Sequence, residues 1–594
     1  VQITEDIRYV PYTQPGEPRR KAGIVPAHFP PADRLTDRQL ELIRHLSAAA
    51  DVMNDLFRRQ FCRDTEKLFS LLRRLQPYLS AETNTAVEEY LTVLTMQNGP
   101  WSMLPRKNHL LQADRGELQE AARNAGQEEE LRNLERYLFS AVPMPGKAEF
   151  YPEDLSEEEY QAMDPAAGEV NTALIRDEQG RPRALRNEEL YREHCRRAVE
   201  HLRKARTYAD DPDFVIYLDA KIEELTTGSP EARRIADYHW IKHDSPVDII
   251  LSTALEVYLD DWRNVKGAAC GLVAVKDPSR DELLSRLKEA VPELERSAPW
   301  TWRRENIDPA SLPKIKFVDV YNWTGDYITM PATVLAQSLP NDEWVGKHIG
   351  TVNMVYSNTG EARHALTGRL WQQEFLPSEA AEEYESLMYE GGQLHSVLHE
   401  IGHTTGRQDP DHPGRPADYL QSEYSAIEEA RAELFGMWSA EEVKKQGIVD
   451  EKSVKASHYH MLIALISALK FEPEQAHNKA RNMIFHRLLE DGAIVQRQEG
   501  GKSVFDFDFE RLSDSVGSML AEVADIKAAG DKEGAQRLRE RFCFVDPRRE
   551  EIEQRTAGFP QGTAIRFPRF TERDGKLTGE LQWPEYVEQA KFAT

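Results

Sequence analysis

The sequence predicts a mainly helical α+β protein with a small sheet, on three observations. Long stretches repeat apolar residues every three or four positions, and a few short apolar runs sit between turn residues. The chain, 594 residues with 40% hydrophobic and 30% charged, is long enough for two or more domains. No apolar run is long enough to cross a bilayer, so a soluble globular protein is expected.

Taken in order, residues 35–142 read as helical, with LTDRQLELIRHLSAAADVMNDLFRRQF and EEELRNLERYLFSAV as the clearest stretches and the turn-rich QNGPWSMLPRKN between them. EVNTALIRDEQGRPRAL alternates around an Asp-Glu-Gln-Gly-Arg-Pro turn and predicts a β-hairpin, after which NEELYREHCRRAVEHLRKARTYA returns to helical period. CGLVAVKD, KIKFVDVYNW and IGTVNMVYSN predict strands of a single small sheet. Helical pattern resumes from Ser378 to Leu469, and FEPEQAHNKARNMIFHRLLEDG predicts one more helix ending at Gly492. The stretches VAVKDPSRDELLSR and GEARHALTGRL are places for the chain to pass between lobes.

Charge narrows the partners. With 75 Lys and Arg against 101 Asp and Glu, the formal net charge of -26 repels nucleic acid and anionic membrane surfaces, so neither is expected. The acidity is read as a solubility feature rather than as capture of basic substrates. Cys62, Cys195, Cys270 and Cys543 stand singly, without CxxC, and predict buried thiols rather than disulfides or a thiolate zinc site. The low cysteine count leans towards the cytoplasm. The start at Val1, without an initiator methionine, keeps a periplasmic or secreted location open.

The chemistry concentrates in GGQLHSVLHEIGHTTGRQDPDHPG, residues 391 to 414, a short helical pattern opened by two glycines and broken at Gly406. His399-Glu400-Ile401-Gly402-His403 is HExxH. On a helix His399 and His403 share one face and can reach one zinc ion, while Glu400 is offset towards the open coordination position and can act as general base. A third ligand is needed, and three candidates compete. His395 lies on the same face, but the row from His395 to His403 spans about 12 Å, too long to converge on one ion. Asp409 completes HExxHxxGxxD, a metzincin-like pattern, for which Met437 and Met461 are the nearby candidates for a methionine turn. AIEEARAELFGMW, residues 426 to 438, offers Glu428, Glu429 and Glu433 beside apolar positions; any acid facing inward needs a counter-charge, which zinc supplies. The alternative there is a solvated acidic face with Arg431 pairing to a neighbour.

HEIGH followed by EEARAE resembles the paired zinc motifs of the dipeptidyl peptidase III family, the M49 metallopeptidases, in the shorter HExxH form of a minority of bacterial relatives. YHWIKHDSPVDIILSTALEVYLDDWRNVKGAACGLVAV, residues 238 to 275, looks like the family's strand-forming segment, and QAHNKARNMIFHRLLEDG, residues 475 to 492, like its substrate-binding helix. The resemblance covers residues 180 to 545. It implies two lobes separated by a deep cleft, a small sheet or barrel in one lobe and the zinc site on helices of the other. Residues 1–275 would form the first lobe, with 313–365 and part of the C-terminus returning to it. Residues 276–312 and 366–560 would form the zinc lobe, and 561–594 a C-terminal segment.

The resemblance further implies His399, His403 and Glu429 as ligands of one Zn2+ per chain, Glu400 as base, and Glu428 and Glu433 as carboxylates holding the imidazole N–H groups. His477 would help stabilise the oxyanion and Arg481 would contact substrate; their spacing puts both on one helix face. His395 and His412 are read as polar neighbours. The family's cleft tyrosine has no counterpart, Leu251 standing nearest its place. The asparagines around the cleft proline appear as Thr329 and Ala332 beside Met330 and Pro331, and an acidic anchor near Ile249 is missing unless Asp248 substitutes.

The expected activity is therefore zinc-dependent hydrolysis of short peptides with release of dipeptides from the N-terminus, by a monomer or homodimer. The alternatives are a zinc peptidase or amide hydrolase of altered specificity, with the Asp409 ligand set or as an oligopeptidase, and a catalytically weak peptide-binding protein.

Overall fold

The computed structural model describes residues 7–29, 34–103, 106–301, 314–328, 334–406, 416–573 and 576–582. Thr329, Met330, Pro331, Ala332, Asp409 and His412 lie outside the described residues. The chain divides into two compact units, one of Val1–Asp277, Phe317–Leu366 and Pro560–Thr594, the other of Pro278–Lys316 and Thr367–Phe559. Among the described residues no helix is long and apolar enough to cross a membrane.

In the first unit, β1 (Arg8–Tyr12) and β2 (Arg20–Pro26) pair antiparallel, and β2 runs parallel to the strand Thr563–Arg573, whose other neighbour is Lys576–Gln582. Helix α1 (Asp37–Phe61) starts at a capping box in which Thr36 and Gln39 satisfy each other's backbone N–H groups. The predicted hairpin forms as β3 (Thr172–Arg176) and β4 (Pro182–Arg186), and the helical stretch after it holds α2 (Arg192–Arg206). A second sheet orders β5 (Val247–Glu256), β6 (Ala268–Lys276), β7 (Lys314–Gly325), β8 (Ala336–Leu339) and β9 (Val352–Tyr356) as β5-β6-β7-β9-β8. Its central strands are buried along almost their whole length, which is why they read as apolar runs rather than alternating ones. Gly271 on β6 lets α1 lie against this sheet, since a Cβ there would fall 2.8 Å from the Cα of Ala50.

The three predicted strands lie side by side in this one sheet as β6, β7 and β9; among the described residues the structure adds a four-stranded sheet and two separate hairpins. β1 carries a proline as the fourth of its five residues and β8 is the short AQSL, so neither shows a strand pattern locally. β2 pairs with residues at the far end of the sequence, a contact that no local periodicity reports.

The second unit is mainly helical, with one hairpin of Ile494–Glu499 and Lys502–Phe507, and with α3 (Asp281–Ser297), α4 (Met388–Thr404), α5 (Tyr424–Lys445), α6 (Glu451–Ala468), α7 (Ala476–Glu490) and α8 (Phe509–Ala529) at its centre. α5 packs against α4, α6, α7 and α8 and is buried on most of its circumference, consistent with apolar residues spread around the helix rather than in one stripe. α7 begins later than predicted: Phe471–Gln475 stay outside it, because Pro473 does not suit a helix interior.

Gly391 and Gly392 do not open α4 but lie inside its first turns. Their role is contact. A Cβ on Gly391 would sit 2.5 Å from the backbone of Ala456 and Ser457 on α6, and one on Gly392 would enter the His460 ring. Gly391→Ala should therefore lower the urea midpoint, with overpacking of about 1–3 kcal/mol outweighing the ~1 kcal/mol that alanine gains in a helix. An unchanged or raised midpoint would show that α4 and α6 are not in this close contact.

Candidate metal centre

α4 stacks His395, His399 and His403 along one face, and α5 presents Glu428, Glu429 and Glu433 to it. Small residues allow the approach: a Cβ on Gly402 would already be 3.2 Å from the Cα of Ala432. α4 ends at Thr404, and the chain turns at Gly406 with φ +70°, a conformation glycine adopts at little cost. The Gly406 N–H donates to the buried Glu295 carboxylate of α3 at 2.7 Å, fixing where the helix stops.

His399 Nε2 and His403 Nε2 lie 3.1 Å apart, and Glu429 Oε2 is 3.4 Å from the first and 3.8 Å from the second. Behind the rings stand two further carboxylates. His403 Nδ1 donates to Glu428 at 2.8 Å, and His399 Nδ1 is 3.4 Å from Glu433. With the protons held at Nδ1, both Nε2 atoms direct lone pairs at each other and at a carboxylate oxygen. A cation between them would be met by all three atoms. The edge of a tetrahedron with Zn–N bonds of about 2.0–2.1 Å is roughly 3.3 Å, so the donor set fits zinc. Glu429 Oε2 is buried without a well-formed hydrogen bond, its neighbours being imidazole nitrogens of His477, His399 and His403 at 3.2, 3.4 and 3.8 Å. The same field acts on protons: burial opposes charging of His399, but Glu433 and Glu429 outweigh it and push the imidazole up to about 10.

The supporting carboxylates are anchored differently. Glu428 accepts from Arg431 at 2.8 and 3.1 Å and pairs with Lys527 of α8 at 2.8 Å, and both cations are almost completely buried. Burial raises its carboxyl, yet Arg431, His403 and Lys527 together hold it well below the usual range. Burial and the neighbouring Arg431 in turn lower Lys527 to about 8. Glu433 accepts from His395 Nε2 at 2.7 Å and from Arg481 Nε at 2.8 Å. Burial raises this carboxyl too, and Arg481, His399 and His395 outweigh it.

The structure thus brings His399, His403 and Glu429 to within 4.8 Å of one another through their ligand atoms, and likewise His395, His399 and Glu433. Glu400 sits on α4 between the two histidines, half-buried. His477, near the start of α7, is half-exposed with Nδ1 3.2 Å from Glu429 Oε2. Arg481, one turn further along, is committed through Nε to Glu433. Lys527 and Glu295 were not singled out by sequence reasoning, and no local signal marks them, since each meets the site from a helix remote in sequence. The solvated-face alternative for residues 426–438 is overturned: Glu428 and Glu433 are buried and Arg431 is an internal counter-ion.

Met437 and Met461 are both buried inside helices, so neither supplies a methionine turn. In the first unit, Asp248 is buried and accepts from Trp240 Nε1 at 2.9 Å, which occupies it internally, and Ile249 and Leu251 are buried as well.

Residues 177–409 match the sequence model of Peptidase family M49, a stretch that includes HEIGH. A protein named Nudix hydrolase 3 from Arabidopsis thaliana is 24% identical over 84% of this chain and 66% of its own length. Dipeptidyl peptidase 3 from Nematostella vectensis is 26% identical over 59% of this chain and 54% of its own, and that from Homo sapiens 26% over 50% and 44%. The chain thus spans from under half to about two thirds of these relatives. Among solved structures, that of DPP III from Caldithrix abyssi shares the fold with a TM-score of 0.76 at 23% identity, over 90% of this chain and 96% of that one. Dipeptidyl-peptidase III from Corallococcus sp. strain EGB does so with a TM-score of 0.68 at 20% identity, over 91% and 94%.

Removing the carboxylate between Arg431 and Lys527 leaves two buried cations facing each other. Glu428→Ala should lower the stability of the metal-free protein by about 3–5 kcal/mol in denaturant unfolding. A loss under 1 kcal/mol would mean that these charges are solvated.

Proposed function

From the membership of this chain in peptidase family M49, the family of dipeptidyl peptidase III, we propose that it is a zinc-dependent peptidase that hydrolyses short peptides and releases dipeptides from their amino ends. The observation that carries this reading is the pair of imidazole Nε2 atoms 3.1 Å apart, turned towards one another by the carboxylates behind them, with Glu429 Oε2 alongside. His399, His403 and Glu429 would hold one ion per chain. Zinc bound there supplies Lewis acidity and brings the acidity of water close to neutral pH.

The remaining steps belong to the side chains. Glu400, offset from the two histidines on α4, takes the proton of the attacking water and passes it to the departing amine. His477 stands at the rim of the donor set and donates a hydrogen bond to the carbonyl oxygen as it gains charge. Arg481 keeps Nε on Glu433 and offers its terminal nitrogens to substrate. Glu428 and Glu433 hold the ring N–H groups and so fix the direction of both Nε2 atoms.

Release of dipeptides also needs a partner for the substrate ammonium. Asp248 is already engaged by Trp240, so that partner must come from other residues.

Glu400→Ala should retain one zinc per chain by elemental analysis while turnover falls at least a thousandfold; full activity in this variant would refute its role as base. Glu429→Ala should lose the metal and Asp409→Ala keep it, the reverse pattern favouring the metzincin-like set. Mass spectrometry of a peptide library digested with and without chelator should show chelator-sensitive loss of two residues from amino ends. Other fragment lengths would revise the specificity, and peptide binding without products would point to a non-catalytic binding protein.

A further inference from the structure

The donor set described above leaves His395 without a part in the chemistry, although it is the more tightly engaged of the two imidazoles on Glu433. His395 Nε2 is 2.7 Å from Glu433 Oε2, whereas His399 Nδ1 is 3.4 Å from that same oxygen. Arg481 Nε holds the other oxygen at 2.8 Å. A carboxylate with one strong donor on each oxygen has its plane fixed, and the plane of Glu433 decides where the Nδ1–H of His399 can point.

The opposite helix makes room for this ring. Gly436 lies three residues after Glu433 on α5, and a Cβ there would sit 2.7 Å from Cε1 of His395. His395 is 95% buried, and its Nδ1 has no hydrogen-bond partner. A neutral ring donating through Nε2 and leaving Nδ1 as a bare lone pair matches both facts. The ring is also one member of a second group, His395, His399 and Glu433, able to hold a metal. Two features oppose ligation there: Arg481 already neutralises Glu433, and His399 can offer Nδ1 to an ion only by giving up the proton that directs its Nε2 to the first group.

We propose that His395 is a positioning residue: it orients Glu433 so that Glu433 orients His399 towards the metal, and Gly436 is the space that permits it. This rests on the assignment of His399, His403 and Glu429 as ligands.

The test uses the full chain and Zn2+ alone, titrated against a chromogenic chelator. His395→Phe keeps the ring's bulk without the donor and should weaken zinc binding about 10–100-fold. His395→Gln restores a donor and should recover most of that loss. Gly436→Ala removes no polar atom and favours the helix, yet should weaken zinc binding in the same direction by pushing the ring off Glu433. In the peptidase assay at saturating zinc, kcat should fall while KM for a peptide stays within twofold. Zinc binding by His395→Phe within twofold of the parent, or an equal loss in the Phe and Gln variants, overturns the proposal. So does uptake of two zinc ions per chain by the parent and one by His395→Phe, which would make His395 a ligand.

If the parent binds no zinc, the ligand assignment fails separately, and the imidazole protons of the metal-free protein decide on His395. A strongly downfield N–H signal present in the parent and absent from His395→Phe supports its bond to Glu433, and no such signal overturns it.

Discussion

Three carboxylates on one buried helix are the constraint around which the second unit is arranged. An ionised carboxylate removed from water without partners is prohibitively costly. α5 nonetheless carries Glu428, Glu429 and Glu433 within two turns, in the middle of a packed bundle. The surrounding helices supply what the burial demands: α4 its three histidines, α7 Arg481 and His477, α8 Lys527, and α5 itself Arg431. Glu428 and Glu433 are satisfied by these groups. Glu429 is met more loosely, by imidazole nitrogens of His399, His403 and His477 at 3.2–3.8 Å, and a cation at its buried Oε2 would complete the balance.

Close packing makes these short distances possible. Imidazole and carboxylate groups from two helices meet without intervening water only if the backbones approach closely, and the sequence places glycine where they do. Gly391 and Gly392 face α6, Gly402 faces α5, and Gly436 faces the ring of His395. Each glycine costs helix propensity of about 1 kcal/mol relative to alanine. Two at the α4–α6 contact and two at the α4–α5 contact indicate that approach distance, rather than helix stability, governs the local sequence.

This accounts for what was legible in the sequence. HEIGH and EEARAE are local patterns whose spacing follows from the helical repeat, so the His399–His403 pair and the neighbouring glutamates could be named, and the resemblance tied Glu429 to them. The hairpin at residues 172–186 and the apolar β6, β7 and β9 also announce themselves locally. Other features depend on distant pairing. β2 joins a strand more than 500 residues later, and Lys527 reaches Glu428 from α8; neither position differs in type from many others. A glycine pair at a helix start and one at a helix crossing look the same in one dimension, so the place of Gly391 and Gly392 inside α4 is visible only in the structure.

The two supporting carboxylates differ in their counter-ions, enclosed behind Glu428 and partly exposed behind Glu433. Glu428 is held by Arg431 and Lys527, both almost wholly enclosed, so His403 is tied through it to buried cations. Glu433 is held by buried His395 on one oxygen and by Arg481 on the other, and the Arg481 side chain is 32% exposed. An anion at the exposed end of that guanidinium would compete with Glu433 for its charge. His403 is thus backed by enclosed cations, while the carboxylate behind His399 is backed partly by an exposed one. The role argued for His395 follows from that asymmetry, since a buried donor on the second oxygen limits how far Glu433 can follow Arg481.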